Sequence, residues 1–217
     1  MVAAGRGTRM GEDKVWMPLG PMPVVAYSLR AFASCSNVGQ VVLVVAKDKL
    51  EKGRELVKQM GVPALVCEGG ARRQESVQNG LALISGGGTV AIHDGARPLV
   101  SSSIIDACYR AAEQNGAAIA AVPVKDTIKQ VSPEGWVEST LVRSKLWAVQ
   151  TPQAFLIDLI RRAYAALDRE VTDDAAAVEL LGHPVRVVMG SPLNLKLTTR
   201  EDLAIARSLL NDAQGNS

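Results

Sequence analysis

The feature that most constrains the fold is the stretch 41–46, an unbroken apolar run made mostly of valine. Such a run is typical of a strand covered on both faces, because a strand with one face in water alternates apolar and polar residues. Further strands are predicted at 64–67, 89–93, 117–124 and 185–189, with amphipathic segments between most of them. This alternation predicts an α/β fold with a mostly parallel sheet and right-handed crossovers.

The helices are predicted from apolar residues that recur at the spacing of one helix face, as Val25, Leu29 and Phe32 do. The predicted helices are 24–34, 47–60, 76–84, 103–115, 154–168 and 200–210.

Two predictions concern the later part of the chain. A strand is expected at 146–150, followed by residues 151–153 as the cap of the helix at 154–168. Thr172 is placed to N-cap another helix, with Asp173 and Asp174 as helix-capping charges in its positive first turn.

A segment near the middle of the chain interrupts the alternation. Two short stretches, 128–131 and 136–141, flank the turn sequence Ser-Pro-Glu-Gly at 132–135, which predicts a β-hairpin. A free two-stranded hairpin is marginal in water, so this one is expected to pack on another surface, and a partner subunit is one candidate. The chain is predicted to form one domain over 1–217 with an arm at about 126–146.

Composition excludes several classes of protein. The net charge is +2 and no run of Lys and Arg occurs, which argues against a nucleic-acid surface. The three cysteines are far apart and the two histidines are isolated, so neither a disulfide framework nor a His-based metal site is expected. No apolar run reaches transmembrane length, and the expected compartment is the cytoplasm, or the plastid stroma if a transit peptide has been removed.

The opening of the chain suits a polyphosphate. Residues 1–4 read as a buried strand, and Gly5 and Gly7 then allow a tight turn that exposes backbone N–H groups. Arg9 and Lys14 bring two cations to the same loop. The dinucleotide fingerprint lacks its third glycine here and the P-loop lacks its Lys-Ser/Thr, so a turn whose charges are merely solvated remains the alternative. The strand is either unusually short or begins upstream of residue 1.

Two more polar loops follow predicted strands, at 69–76 and 94–98. Ligands of such sheets bind beyond the carboxyl ends of the strands, where these loops and the glycine turn are expected to converge. From the residues alone, Arg72 and Arg73 are interpreted as a solvated helix start, and His93 as a packed residue at a strand end.

Seven segments together resemble the 2-C-methyl-D-erythritol 4-phosphate cytidylyltransferases of non-mevalonate isoprenoid biosynthesis. They are AAGRGTRM at 3–10 with Lys14, GGARRQESV at 69–77, HDGARP at 93–98, VKDT at 124–127, TPQ at 151–153, TDDA at 172–175 and NLKLT at 194–198. They follow the family's order and cover nearly the whole chain. The family often has Pro-Lys-Gln around its second catalytic cation, whereas Lys14 stands between Asp13 and Val15.

The resemblance implies a three-layer, Rossmann-like nucleotidyltransferase fold that transfers a cytidylyl group from CTP to methylerythritol phosphate and releases pyrophosphate. The catalytic residues it implies are Arg9, Lys14 and Lys196. The nucleotide-binding residues it implies are Ala3, Ala4, Gly5, Gly7, Gly70, Ser76 and Asp94. The acceptor-binding residues it implies are Asp94, Thr127, Arg143, Thr151 and Lys196.

The resemblance also implies Mg²⁺ or another divalent cation, held mainly by the CTP phosphates with Asp94 as a possible ligand. The hairpin arm would cross to a second subunit and bring Arg143 to the neighbour's site, giving a homodimer. Two alternatives remain open at this stage. One is a cytidylyltransferase for another polyol phosphate, such as ribitol 5-phosphate, and the other is a non-catalytic nucleotide sensor.

Overall fold

The computed structural model describes the backbone of residues 1–5 and 13–215, and the side chains of these residues up to 211. The strands are β1 (Val2–Ala3), β2 (Pro18–Leu19), β3 (Met22–Pro23), β4 (Val41–Val45), β5 (Ala64–Glu68), β6 (Thr89–Ile92), β7 (Ala117–Pro123), β8 (Lys129–Val131), β9 (Val137–Thr140), β10 (Trp147–Leu156) and β11 (Arg186–Met189). The helices are α1 (Val24–Ala33), α2 (Leu50–Met60), α3 (Arg73–Ala82), α4 (Ser102–Asn115), α5 (Ile157–Ala165), α6 (Asp174–Leu180) and α7 (Arg200–Gly215). Short 3₁₀ turns lie at Lys14–Trp16, Lys47–Lys49 and Arg143–Lys145.

A mostly parallel sheet forms the centre of the molecule. Its two parts, β5-β4-β1 and β6-β10-β7-β11, are joined by a parallel bridge between Val2 and Asp94. The Val2 N–H donates to the His93 carbonyl at 2.8 Å, and the Gly95 N–H donates to the Val2 carbonyl at 2.8 Å. Only β10 runs against its neighbours, pairing antiparallel with both β6 and β7. The predicted fold class is therefore confirmed, and β1 lies in the middle of the sheet.

Helices cover both faces of the sheet. On one side α1, α2 and α4 pack on a core that includes Val41, Leu43 and Val45 of β4. On the other side α3, α5 and α6 share a second core with β6 and β7. All five residues of β4 are buried, which is the environment that its continuous apolar run predicts.

Two small hairpins lie outside this layer. β2 and β3 pair antiparallel and support α7 through a third apolar cluster around Leu19, Leu197 and Leu203. β8 and β9 also pair antiparallel, and Gly135 in the turn between them has φ +89°, a conformation that glycine adopts without strain. The predicted arm is thus a hairpin, and its strand residues are almost all exposed.

The prediction for residues 146–168 is wrong in one respect. The strand does not end at 150 but continues to Leu156, and α5 begins at Ile157 rather than at 154. Ala154 and Phe155 are fully buried and pair with β6 on one side and β7 on the other. Pairing with two neighbouring strands outweighs the local helix propensity of this segment.

Other helix starts also differ from the prediction. α2 begins at Leu50 rather than at 47, because Lys47–Lys49 form a 3₁₀ turn. α3 begins at Arg73, three residues before the predicted start, and the Glu75 carboxylate in its first turn accepts the Arg72 N–H at 3.2 Å. α6 is capped by Asp173 rather than by Thr172, and the Asp173 carboxylate accepts the Ala176 N–H at 3.0 Å. Among the residues that the structure describes, no helix combines the length and the apolar character needed to cross a membrane.

Candidate active site

A cavity of about 760 Å³ opens at the carboxyl ends of β1, β5 and β6. Its walls come from the end of β1, the turn between β5 and α3, the residues after β6 and the loop that precedes α7. The polar loops that were expected to converge beyond the sheet thus do so where the structure describes them.

Two glycines let the β5–α3 turn approach β1 closely. A Cβ on Gly69 would lie 2.4 Å from the Ala4 Cβ and 2.7 Å from the Ser76 hydroxyl oxygen. A Cβ on Gly70 would lie 2.3 Å from the Glu75 Cβ. A side chain at either position would therefore force these neighbours to shift.

The start of α3 is fixed by its own side chains. Ser76 is 2% exposed. Its hydroxyl accepts the Gly70 N–H at 3.1 Å and donates to the Arg72 carbonyl at 3.2 Å. The Glu75 carboxylate accepts the Ala71 N–H at 2.8 Å. These bonds satisfy two amides of the turn before α3, so this wall of the cavity is formed without a ligand.

Asp94 follows β6 and carries the negative charge in the middle of the cavity. Its N–H donates to the Thr151 hydroxyl at 3.0 Å, which fixes the backbone. One carboxylate oxygen lies 3.3 Å from Arg73 and the other 2.7 Å from the Lys196 ammonium. Burial alone would raise the pKa of Asp94, but Arg73 and Lys196 together outweigh burial and hold it well below its ordinary value. Asp94 is thus ionised at neutral pH.

Lys196 reaches Asp94 because its neighbours are anchored. Asn194 is fully buried and donates its side-chain amide to the Thr151 carbonyl at 2.9 Å. Leu197 is 2% exposed and its N–H donates to the Ala96 carbonyl at 2.8 Å. Between these anchors the Lys196 side chain, 41% exposed, lies on the cavity wall.

Lys14 lies on the same cavity wall. It begins the 3₁₀ turn at Lys14–Trp16, and the buried side chains of Val15 and Trp16 anchor that turn in the core. Ala3, Ala4 and Gly5 also line the cavity. The other predicted residues of this loop, Gly7 and Arg9, lie outside the described residues.

The three residues predicted to bind only the acceptor are placed differently. Thr151 is 4% exposed. Its hydroxyl oxygen accepts the Asp94 N–H and lies 3.1 Å from His93 Nδ1. Thr127 and Arg143 are exposed at the base of the arm, and neither lines the cavity. Arg143 donates to the Lys125 carbonyl at 2.7 Å. Within one chain the cavity is therefore lined by those predicted nucleotide residues that the structure describes, and not by Thr127, Arg143 or Thr151.

Sequence reasoning missed one charged cluster. Arg73, interpreted as a solvated helix start, forms ion pairs with Asp94 and with Asp174, while Arg72 is exposed and pairs with Glu75. Asp174, interpreted as a capping charge, is fully buried. The sequence pointed to these two residues only by placing Arg73 in the segment 69–77 and Asp174 in the segment 172–175, both of which carry the family resemblance.

Arg97 is a second missed residue. It is 9% exposed and donates to the Asn194 carbonyl at 2.8 Å, while its Nε has no hydrogen-bond partner among the described residues. His93, by contrast, is a packed strand-end residue as predicted, 1% exposed and tilted against Phe32 at 5.0 Å between ring centroids.

No group of three or more His, Cys, Asp and Glu side chains that could hold a metal occurs in the part of the chain described. Asp94 is nevertheless an oxygen ligand of the kind that Mg²⁺ takes when substrate phosphates supply the rest of its shell. A site with Asp94 as its carboxylate fits a divalent cation that arrives with a nucleotide. It does not fit a metal that is held by protein ligands alone.

A model of one protein family, described as 2-C-methyl-D-erythritol 4-phosphate cytidylyltransferase, matches residues 1–212. The chain belongs to this cytidylyltransferase family. Proteins of that name from Dehalococcoides mccartyi and Microcystis aeruginosa are 46% and 43% identical to it. The first alignment covers 97% of this chain and 94% of the relative, and the second covers 96% of each.

Solved structures of cytidylyltransferases share the architecture. The 4-diphosphocytidyl-2C-methyl-D-erythritol synthase of Anaerococcus prevotii is 30% identical, with a TM-score of 0.87 over 97% of this chain and 93% of its own. The 2-C-methyl-D-erythritol 4-phosphate cytidylyltransferase of Thermus thermophilus is 32% identical, with a TM-score of 0.80 over 96% of each chain. The fold is therefore that of the cytidylyltransferases, as the seven segments predict.

Proposed function

We propose that this chain transfers the cytidylyl group of CTP to the phosphate of 2-C-methyl-D-erythritol 4-phosphate, giving 4-diphosphocytidyl-2-C-methyl-D-erythritol and pyrophosphate. The observation that carries the proposal is the cavity at the carboxyl ends of β1, β5 and β6, in a member of this family. There Asp94 lies between two cations, and Lys14 stands on the same wall.

The nucleotide half of the site is supplied by one chain. The backbone of Ala3, Ala4 and Gly5, with Gly70 and Ser76, would hold the base and ribose of CTP. Ser76 and its turn are already hydrogen-bonded, so binding would not have to order them. Gly7 belongs to the same predicted set.

The reaction joins two anions. An oxygen of the acceptor phosphate attacks the α-phosphorus of CTP, the bond from this phosphorus to the bridging oxygen breaks, and pyrophosphate leaves with that electron pair. The attacking oxygen is already ionised, so no general base is required. The chain must instead neutralise charge on the α-phosphoryl group and on the leaving group.

Positioned cations are suited to that task. We assign transition-state stabilisation to Arg9 and Lys14. Arg9 would contact phosphate oxygens through a planar fork and Lys14 would act as a point charge. Lys196 also lines the cavity and would orient the acceptor, because its ammonium is held 2.7 Å from Asp94.

A divalent cation, Mg²⁺ in the first instance, belongs to the proposal. It would be held by the CTP phosphates with Asp94 as its protein ligand, and when bound it would neutralise triphosphate charge and polarise the phosphoryl oxygens. Asp94 would also contact the ribose and the acceptor.

The acceptor half of the site is proposed to need a second copy of the chain. Thr127 and Arg143 lie outside the cavity, whereas Thr151 lies behind Asp94. The arm that follows Thr127 exposes Val131, Trp136, Val137 and Val142 by 50% or more, which is an apolar surface of the kind that a subunit interface covers. In the proposed homodimer, Arg143 and Thr127 of one arm would reach the partner's acceptor site. The three free cysteines suit the proposed cytoplasmic location.

Pyrophosphate release from CTP and Mg²⁺ tests the function, with 2-C-methyl-D-erythritol 4-phosphate and ribitol 5-phosphate supplied in parallel. We expect a higher kcat/KM with the methylerythritol phosphate. A higher kcat/KM with ribitol 5-phosphate would contradict the assigned acceptor. Tight CTP binding without turnover on either acceptor would instead favour the nucleotide sensor.

A further inference from the structure

Asp174, the first residue of α6, is a fully buried carboxylate outside the set assigned above. Both of its oxygens are engaged by Arg73, whose two terminal nitrogens lie 3.0 Å and 2.7 Å from them. The Tyr164 hydroxyl donates to the same carboxylate at 2.5 Å. A buried charge is costly unless it is paired and hydrogen-bonded, and here three donors satisfy it.

The position of Asp174 is fixed by the sheet. Gln153 of β10 is 1% exposed, and its side chain accepts the Ala175 N–H at 2.9 Å and donates to the Asp173 carboxylate at 2.9 Å. Because one amide thus holds two neighbours of Asp174, the start of α6 is attached to the central sheet at this point. Arg73 is therefore held by a carboxylate that cannot easily move.

Arg73 also contacts Asp94. Its Nε and one terminal nitrogen lie 3.4 Å and 3.3 Å from one Asp94 oxygen, farther than the same guanidinium lies from Asp174. A guanidinium is planar and rigid, so the bidentate pair with Asp174 sets the direction in which its remaining donors face Asp94. Burial alone would lower the pKa of Arg73, but Asp174 and Asp94 outweigh burial and raise it.

We propose that Arg73 is a positioning residue for the cytidylyl transfer, held by Asp174 and Tyr164 so that it fixes Asp94 in the cavity. The inference rests on the proposed function for the identity of the reaction. Arg73 restrains one oxygen of Asp94 and Lys196 binds the other, so the carboxylate has one orientation when CTP, the cation and the acceptor arrive. Without Arg73, Lys196 alone would restrain Asp94, and the carboxylate would lose its fixed orientation.

The test is a double-mutant cycle between Arg73→Ala and Asp94→Asn. We expect Arg73→Ala alone to lower kcat/KM by about 10- to 100-fold, the usual cost of losing a residue that orients a ligating side chain. In the Asp94→Asn background, the same change should cost less than about threefold, because a positioning residue has nothing left to position. Additive losses would overturn the proposal.

A matched control separates positioning from support of α3. Arg161 of α5 donates to the Leu81 and Ile84 carbonyls, at and just beyond the other end of α3, and it lies outside the cavity. Arg161→Ala removes an arginine that anchors the same helix, and it should leave kcat and both KM values near those of the wild type. An equal loss in Arg161→Ala and Arg73→Ala would mean that Arg73 only holds the helix.

Milder variants keep the test decisive if Arg73→Ala does not fold. Tyr164→Phe removes one hydroxyl from Asp174, and Arg73→Lys keeps the charge without the fork. Both variants should lower kcat/KM by a few-fold. Where both arginine variants fold, Arg73→Lys should keep a higher kcat/KM than Arg73→Ala. In the Asp94→Asn background, the effects of Tyr164→Phe and Arg73→Lys should vanish. Persistence of either effect in that background would contradict the proposal.

The same cycle can be measured without turnover, on the dissociation constant of CTP with Mg²⁺ by calorimetry. Non-additive losses of affinity are expected there too, and additive losses would overturn the proposal. If the wild-type chain binds CTP but uses no polyol phosphate, the proposed function fails while this coupling is still measured.

Discussion

Asp94 and Ser76 on the cavity wall are 8% and 2% exposed and are held by hydrogen bonds from several elements, whereas Trp136 and Val137 on the arm are 75% and 61% exposed. The cavity wall has its contacts within one chain, but the arm lacks a surface to cover its apolar residues among those described. The difference teaches that one chain orders the proposed nucleotide site. The proposed acceptor residues Thr127 and Arg143 belong to the region whose packing is incomplete.

Deleting residues 128–141 gives the largest expected effect, since it removes the arm and leaves the cavity. We expect a monomer that still binds CTP with nearly wild-type affinity and has no measurable turnover. Light scattering gives the mass and calorimetry gives the affinity. An active monomer would break the comparison, and loss of CTP binding would show that the cavity depends on the arm.

Lys14→Ala tests the nucleotide side. Removing one preorganised charge that stabilises the transition state should lower kcat by roughly 10²–10³-fold, and Arg9→Ala should do the same. Steady-state pyrophosphate release is the measurement. Lys58→Ala, on the exposed side of α2, is the matched control and should keep wild-type kcat. Near-wild-type turnover in Lys14→Ala and Arg9→Ala would remove their assigned roles.

Arg143→Ala tests the acceptor side. Loss of one charge-assisted hydrogen bond should raise the acceptor KM by about tenfold or more, with little change in the CTP KM. Arg169→Ala, an exposed arginine that pairs only with Asp168 among the partners identified, serves as the control for loss of charge. An equal rise in both KM values would mean that Arg143 does not distinguish the acceptor from CTP.

The last prediction concerns stability rather than turnover, and it sharpens the account of the packing behind Asp94. Burial lowers the pKa of His93 to about 3, from an ordinary value of 6.5. Between these values the unfolded chain binds a proton that the native chain does not. This histidine therefore makes the free energy of unfolding fall by about 1.4 kcal/mol for each pH unit of acidification.

His93→Gln removes that contribution, so its stability should depend less steeply on pH between 6.5 and 4. Urea denaturation at several pH values gives the pH dependence of the free energy of unfolding for the variant and for the wild type. The carboxylates contribute equally to both, so the difference between the two slopes reports on His93. Parallel slopes for the variant and the wild type would show that His93 is not buried in its neutral form.

The sequence predicts the parts that depend on local pattern. The valine run of β4 predicts a strand covered on both faces, and all five residues of β4 are buried. Local pattern misplaced the boundary between β10 and α5, because pairing on both sides of Phe155 is not visible in sequence spacing.

The Arg73–Asp174 pair could not be predicted from spacing either. Its two residues are 101 positions apart, and each has an ordinary local interpretation as a charge near a helix start. Arg97 is similar, because its burial depends on Asn194, 97 positions away. Contacts between single charged residues that are far apart in the sequence can be identified only from the folded structure.

A mixed dimer tests the central claim most directly, namely that one chain binds the nucleotide while the partner's arm completes the acceptor site. Lys14→Ala and Arg143→Ala chains carrying different affinity tags are co-expressed, and the heterodimer is purified through both tags. One of its sites would combine both defects and the other would be intact, so symmetry predicts about half of the wild-type activity at limiting acceptor. Activity no greater than the mean of the two mutant homodimers would contradict the claim.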